Sequence, residues 1–421
     1  MNTFKKQIYA VAAFSILFVG TERVTAADTQ APCVSIVSRE VTATASPFYR
    51  AIYADATTNR LVSSSWQSDD NGATWSPIRS HHALTRGLTP GFRRNPTTAT
   101  LDVKRNCVIS IVNSLDTPEL DPTINEPPIA QKTYYLRYRL STDGEKSWLC
   151  DNPIVGVGDF DAQHPFPDLW IGKNAIYLGD NGCAPIVTRS GRVLVPAQMT
   201  ALDKGGELYK PPKAHTYTEA AILIGDWTVD DRLAWRMAPR VAGDISQTVR
   251  GLIEPTIAEA PDGRILMVMR GSNMHDPKVA ATKWFAISED EGETWSQPQR
   301  WKYTDGTGFF SPSSMSVLMR HSSGRIFWVG NITPENPDGN LPRFPLAIGE
   351  VNPQSLQLIR ESVVLVDQKS KADERQGRLD LSHVHLMEDR ETGEFILTYP
   401  RAHNSYTQRE YALLRLAVSP N

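Results

Sequence analysis

Three arginines in this 421-residue chain stand where an apolar, β-prone run opens or closes. Arg94 lies in Phe92-Arg-Arg-Asn-Pro96, Arg270 closes the run from Ile253 that also holds Glu254, and Arg343 lies in Asn340-Leu-Pro-Arg-Phe-Pro-Leu-Ala-Ile348. A guanidinium is a planar, permanently charged fork of donors suited to both oxygens of a carboxylate. The chemistry on offer is therefore anion recognition. A second set of residues can move protons. His383 and His385 alternate with Val384, so on a regular strand both rings project to one face, as base or as ligand contact. His164 and the pair His215 and Tyr217 fall in long loops that can roof a cleft, and Tyr134, Tyr135 and Trp170 suit either sugar stacking or core packing.

What positions these residues is an internal repeat. Three segments read Ser68-Asp-Asp-Asn-Gly-Ala-Thr-Trp75, Ser141-Thr-Asp-Gly-Glu-Lys-Ser-Trp148 and Ser288-Glu-Asp-Glu-Gly-Glu-Thr-Trp295, and a looser relic runs from Thr228 to Trp235. Each segment can staple its own turn: Asp accepts backbone N–H bonds, Gly supplies a left-handed position, and Trp folds back as a lid. A second signal, a polar turn before a branched apolar strand, begins at Thr57, Lys104, Ser190, Asp262, Ser323 and Thr392. Six such hairpins make units of ~65 residues, enough for a four-stranded blade with its loops. Long amphipathic helical patterns are almost absent, and 29 prolines and 27 glycines punctuate the chain. The expected fold is all-β, a six-bladed β-propeller. A sandwich or jelly roll does not account for tryptophans recurring every 60 to 87 residues.

The ends and the composition narrow the setting. Lys5-Lys6, an apolar run from Ile8 to Gly20 and Val24-Thr-Ala26 read as a secretory signal over 1–26, leaving 27–421 as one domain, exported to the periplasm or beyond. No other stretch is apolar and long enough to span a membrane. A net charge of −3 without a basic run argues against nucleic acid as partner. Cys33, Cys107, Cys150 and Cys183 allow two bridges in three possible connectivities, and no Cys/His spacing suggests a metal site. A monomer without cofactor, acting on carbohydrate, is the expectation.

The four turn segments are similar to the Asp boxes of sialidases, and together with Arg94-Asn-Pro96, Glu254, Arg270 and Arg343 they give most of the chain a resemblance to the sialidase (neuraminidase) superfamily. Arg94-Asn-Pro96 resembles the family's Arg-Ile-Pro motif, with Asn for Ile. The resemblance implies a sialidase-type propeller whose three arginines, Arg94, Arg270 and Arg343, grip a substrate carboxylate. It also implies that Glu254 polarises the nucleophile and that an Asp in the loop after Ser114 is the acid/base, Asp116 first and Asp121 second. The implied activity is that of a secreted exo-acting glycosidase releasing a terminal acidic sugar such as sialic acid. One position departs from the pattern: Leu381 stands where the family places its nucleophilic Tyr, and the next phenol, Tyr399, lies beyond a turn. Two alternatives stay open for that reason, a propeller lyase acting on uronic acid polymers and a carbohydrate-binding propeller without catalysis.

Overall fold

A computed structural model of the chain describes residues 32–420, apart from 64, 79–91, 117–129, 213, 215 and 405–407. The expected signal segment 1–26, Asp121 and His215 lie outside the described residues. The described residues form six antiparallel sheets, one after another along the chain. Each of the six polar turns read from the sequence joins the first strand of a sheet to its second, as between Ile253–Glu259 and Ile265–Arg270. The expected six-bladed β-propeller is therefore the observed fold.

Second strands are sandwiched between neighbouring blades, which explains why they read as continuous apolar runs. Val193–Thr200 is buried at every residue and Phe395–His403 likewise. The apolar clusters are mostly shared between adjacent blades; one joins Phe327 and Val329 to Phe395 and Leu397. Each fully buried Val, Leu or Phe contributes about 1.5–3 kcal/mol, so the blade interfaces carry most of the stability. The ring is closed by pairing far in sequence: Val34–Thr42 adds as the outer strand of the last sheet, with Val34 opposite Val418 and Thr42 opposite Tyr411.

The Asp boxes brace their turns as expected. In the first, Asp70 accepts from the Thr74 N–H at 2.8 Å and the Thr74 hydroxyl at 2.6 Å, while Trp75 Nε1 donates to the Gly72 carbonyl at 3.0 Å. These bonds, the Thr74 hydroxyl foremost, hold the Asp70 carboxyl down to about 2. Gly72 is fixed twice over: its φ is +84°, and a Cβ there would stand 2.2 Å from the Phe48 ring. The third box repeats this geometry around Asp290. The second tolerates its shifted Gly because two consecutive positions are left-handed, Gly144 at +69° and Glu145 at +64°. All three boxes act as braces of their own turns.

None of the four cysteines is bridged. Burial pushes Cys33 and Cys183 up to about 12 and Cys107 up to about 11, so they are inert thiols. Among the described residues no helix is long and apolar enough to cross a membrane, and no group of three or more His, Cys, Asp or Glu is placed to hold a metal ion.

Two inner strands are broken, and both breaks matter. In the third blade the chain leaves the sheet after Ile176–Tyr177 and rejoins it at Ile186–Val187. The intervening segment reaches four other blades. Leu178 exchanges two hydrogen bonds of 2.9 Å with the Asn113 side chain, Asn181 Nδ2 donates to the Val384 carbonyl at 2.6 Å, Gly179 abuts Glu254, and Gly182 abuts the Ser316 carbonyl. In the sixth blade the inner strand stops at Leu381 and resumes at His385, with His383 at φ +58° between them.

Candidate functional site

Glu254 and Arg270 meet because the antiparallel register sets Ile253 opposite Arg270, with a bulge before Thr256. Glu254 sits in that bulge at φ +47°, a left-handed conformation that costs a non-glycine residue on the order of 1 kcal/mol. Its backbone N–H donates to Gln198 Oε1 at 2.8 Å. Arg270, only 8% exposed, is held by three partners: Nη1 to Glu254 Oε1 at 2.6 Å, Nε to Ser313 Oγ at 2.8 Å, and Nη2 to Asn340 Oδ1 at 3.0 Å. Glu254 Oε2 is buried with no hydrogen-bond partner among the described residues. An unsatisfied buried carboxylate oxygen is costly, and such an atom is where a substrate proton or hydroxyl gains most.

Further cations crowd this pair. Arg343 is buried, and its backbone bridges to the sixth blade, where the Leu381 N–H donates to its carbonyl at 2.9 Å. Lys283, opposite Arg270 in the sheet and wholly buried, donates through Nζ to the Ser314 carbonyl. Burial first, and then the charges of Arg270 and Arg343, pull Lys283 down to about 7, with only Glu254 opposing. Arg250, which donates to Thr216 Oγ1 at 3.0 Å, is drawn down to about 10 by burial and by Arg270 and Arg343. Arg270, Lys283 and Arg250 thus all feel the Glu254 carboxylate, and Arg343 acts on Lys283 and Arg250.

The axial segment brings a second pair alongside the first. Asp180 accepts from His383 Nδ1, and His383 keeps 36% of its side chain exposed. Burial pushes the Asp180 carboxyl up, but the His383 charge and hydrogen bond outweigh it, so its net shift is downward. Gly179 separates the two pairs. A Cβ on it would stand 2.4 Å from Glu254 Cγ and 2.7 Å from Gln198 Oε1. Gly179→Ala is therefore expected to swing Glu254 off Arg270, lowering turnover at least tenfold while the melting temperature falls only a few degrees. A variant of unchanged turnover would show that the Glu254 carboxylate has room to spare.

The sequence-selected residues fall into two groups. Arg270, Arg343 and Glu254 come together through their common neighbours Lys283 and Arg250. Arg94 instead joins Asp116 on the second blade, Nη1 to Oδ1 at 2.5 Å, with the Tyr135 hydroxyl donating to the other Asp116 oxygen at 2.7 Å. Leu381 has no place at the site: it is fully buried in the core between the fifth and sixth blades. Tyr399 is equally enclosed, its hydroxyl bonded at 2.9 Å to Asp367. His383 and His385 do not share a strand face, because the left-handed residue breaks the alternation. His385 Nε2 turns to the Ala51 carbonyl at 3.0 Å, and burial holds it down to about 4. Sequence reasoning missed Asp180, Arg250, Lys283 and Arg50. Arg50 acts on both Asp180 and His385, and it precedes the first polar turn as Arg94 precedes the second.

A cavity of about 850 Å³ opens beside the axial contact. It is lined by the far ends of the inner strands, among them Leu101, Ile257, Leu318 and Leu386, with Asn181 and Val384 of the axial contact among its walls.

Residues 160–407 match the model of the BNR repeat-like domain. The chain belongs to that family. As a BNR-repeat propeller it superposes on a protein of unknown function from Dyadobacter fermentans with a TM-score of 0.57 at 15% identity, over 92% of this chain and 100% of that one. It is also similar to the NanB sialidase of Streptococcus pneumoniae (TM-score 0.54, 13% identity, 91% and 70% covered). A third likeness is to the intramolecular trans-sialidase of Ruminococcus gnavus (0.52, 13%, 92% and 96%). At such identities the likeness establishes the shared propeller fold alone. No curated protein matches the sequence.

Proposed function

We propose that this BNR-repeat propeller is an exported glycosidase that releases a terminal sugar bearing a carboxylate, sialic acid being the first candidate. The observation that carries the reading is the crowding of Arg270, Arg250 and Lys283 about the Glu254 carboxylate, with Arg343 acting on Arg250 and Lys283. Arg270 and Arg343 both disfavour the charged forms of Lys283 and Arg250, and a bound carboxylate offsets that repulsion. In this reading Arg270 and Arg343 hold the substrate carboxylate and Glu254 polarises the attacking group, with Asp116, paired to Arg94, as the candidate acid/base. Leu381 offers no phenol, so the attacking group is water rather than a tyrosyl side chain. The signal over 1–26 and a single domain over 27–421 belong to the same proposal.

The test presents the protein with a fluorogenic sialoside, a neutral glycoside of the same leaving group, and polymers of uronic acid. Fluorescence from the sialoside alone supports the reading. A rise in absorbance near about 232 nm on the polymers replaces it with elimination, and binding without either signal leaves a carbohydrate-binding propeller.

A further inference from the structure

We propose that the far end of the axial channel is a second binding site, one that takes a single-chain alkyl carboxylate. The site stands apart from the glycosidase reading, because it lies at the opposite ends of the inner strands and uses none of the residues assigned there. Its chamber of about 850 Å³ has the size of a small-molecule site and not of a packing defect. The walls are apolar from blade to blade. Ile52, Leu101, Ile186 and Met319, on the inner strands of four different blades, line the chamber and remain only partly buried. Apolar area left open within a ring of strands gains free energy when a hydrocarbon body displaces water from it.

The mouth sets the preference for a head group. Five charged side chains line the chamber, and four of them are already committed. Glu259 pairs with Arg189 at 2.9 Å. Glu388 accepts from the Ser322 N–H at 2.8 Å and stands 3.2 Å from His321 Nε2. Glu391 accepts from Asn71 Nδ2 at 3.2 Å, and Arg390 donates to the Asp55 carbonyl at 2.8 Å while lying over the Tyr53 ring. Arg320 is the fifth. It is exposed, and among the described residues no hydrogen bond or ion pair engages its side chain. A guanidinium fork with open donors at the edge of an apolar chamber selects an anionic head, and its geometry favours a carboxylate. The strand register gives the length of the body. From Ser316, whose carbonyl abuts Gly182 at the inner end, to Arg320 the fifth blade's strand rises ~13 Å, which leaves room for extended decanoate.

Calorimetric titration of the full chain with decanoate, decyltrimethylammonium and propionate separates the body from the head. Decanoate is expected to bind one to one and about fivefold more tightly than the cation of equal chain, the scale of a partly solvated ion pair. Propionate, which keeps the head and lacks the body, should bind at least about a hundredfold more weakly than decanoate. Arg320→Glu falls at an exposed position, so the fold is retained, and it should invert the preference between the two decyl ligands. Leu101→Asn should weaken both of them by about three- to tenfold and leave the preference as it is. Three results would overturn the site: no saturable uptake of decanoate below about 1 mM, a preference that survives Arg320→Glu, or displacement of decanoate by free sialic acid, which would place it at the arginine cluster. Cleavage of a glycoside enters none of these measurements, so the glycosidase reading and this site stand or fall separately.

Discussion

Arg270→Ala is expected to abolish binding of the acidic sugar and to destabilise the protein by about 3–5 kcal/mol, the usual cost of removing one partner from a buried ion pair. The variant leaves Glu254 charged and buried, with both oxygens unsatisfied instead of one. It also strands the Ser313 hydroxyl and the Asn340 amide oxygen, which Arg270 now engages. Arg270→Lys should recover little. Lysine keeps the charge, but its compact ammonium cannot reproduce a fork that reaches three partners at once. Adding Glu254→Gln to Arg270→Ala removes the orphaned charge, so the double variant should be more stable than the sum of the two single losses predicts. Urea unfolding and calorimetric titration with free sialic acid measure these effects. An Arg270→Ala protein within about 0.5 kcal/mol of wild type would mean that the pair is solvated and not the structural centre of the site.

Much of the fold was legible because its determinants are local. An Asp box satisfies its own hydrogen bonds within eight residues, and a polar turn before a branched run marks a hairpin wherever it occurs. Both signals survive without tertiary context, as the six observed first-to-second strand turns show. Ring closure was not legible. The outer strand Val34–Thr42 is largely exposed and polar, and its partner Gln408–Val418 lies at the other end of the chain. Nothing in either segment announces the other.

The site was legible in part, and the dividing line is physical. Arg270 and Glu254 lie on paired strands of one hairpin, so sequence spacing predicts their meeting. Lys283 was hidden by its chemistry, since a lysine inside an apolar run reads as an interruption rather than as a buried charge. Asp180 was hidden by topology. Its partner His383 is 203 residues away, and the contact requires the third blade's inner strand to leave its sheet. The alternation rule that set His383 beside His385 failed for the converse reason, because it assumes an unbroken strand and His383 breaks it. Leu381 was informative as a warning, and its burial gives that warning a structural cause.

Lys283→Met should make the protein more stable and its anion site weaker. The folded-state value of about 7 lies well below the ordinary lysine value of 10.5, so between those limits the unfolded chain binds a proton that the folded chain does not. Stability must then rise with pH across that window, by up to about 1.4 kcal/mol per unit, and lose this dependence below pH 7, where both states are protonated. Methionine fills a similar volume without the desolvation cost, but leaves the Ser314 carbonyl without its donor at a cost of about 1–3 kcal/mol. The net expectation is a gain of about 2 kcal/mol at pH 7, shrinking toward pH 10 as protonation of the unfolded chain's lysine becomes less favourable. Binding moves the other way. A protonated Lys283 adds its field to Arg270 and Arg343, so the wild type should hold an acidic sugar more tightly at pH 6 than at pH 8, and Lys283→Met should lose that preference. Such a residue lowers stability for the sake of the ligand's charge, which is the relation expected of a binding cluster and not of a core. Chemical unfolding from pH 6 to pH 10 decides the matter: a Lys283→Met protein that keeps the wild-type slope between pH 7 and pH 10 would move the titrating charge to another group and take Lys283 out of the anion site.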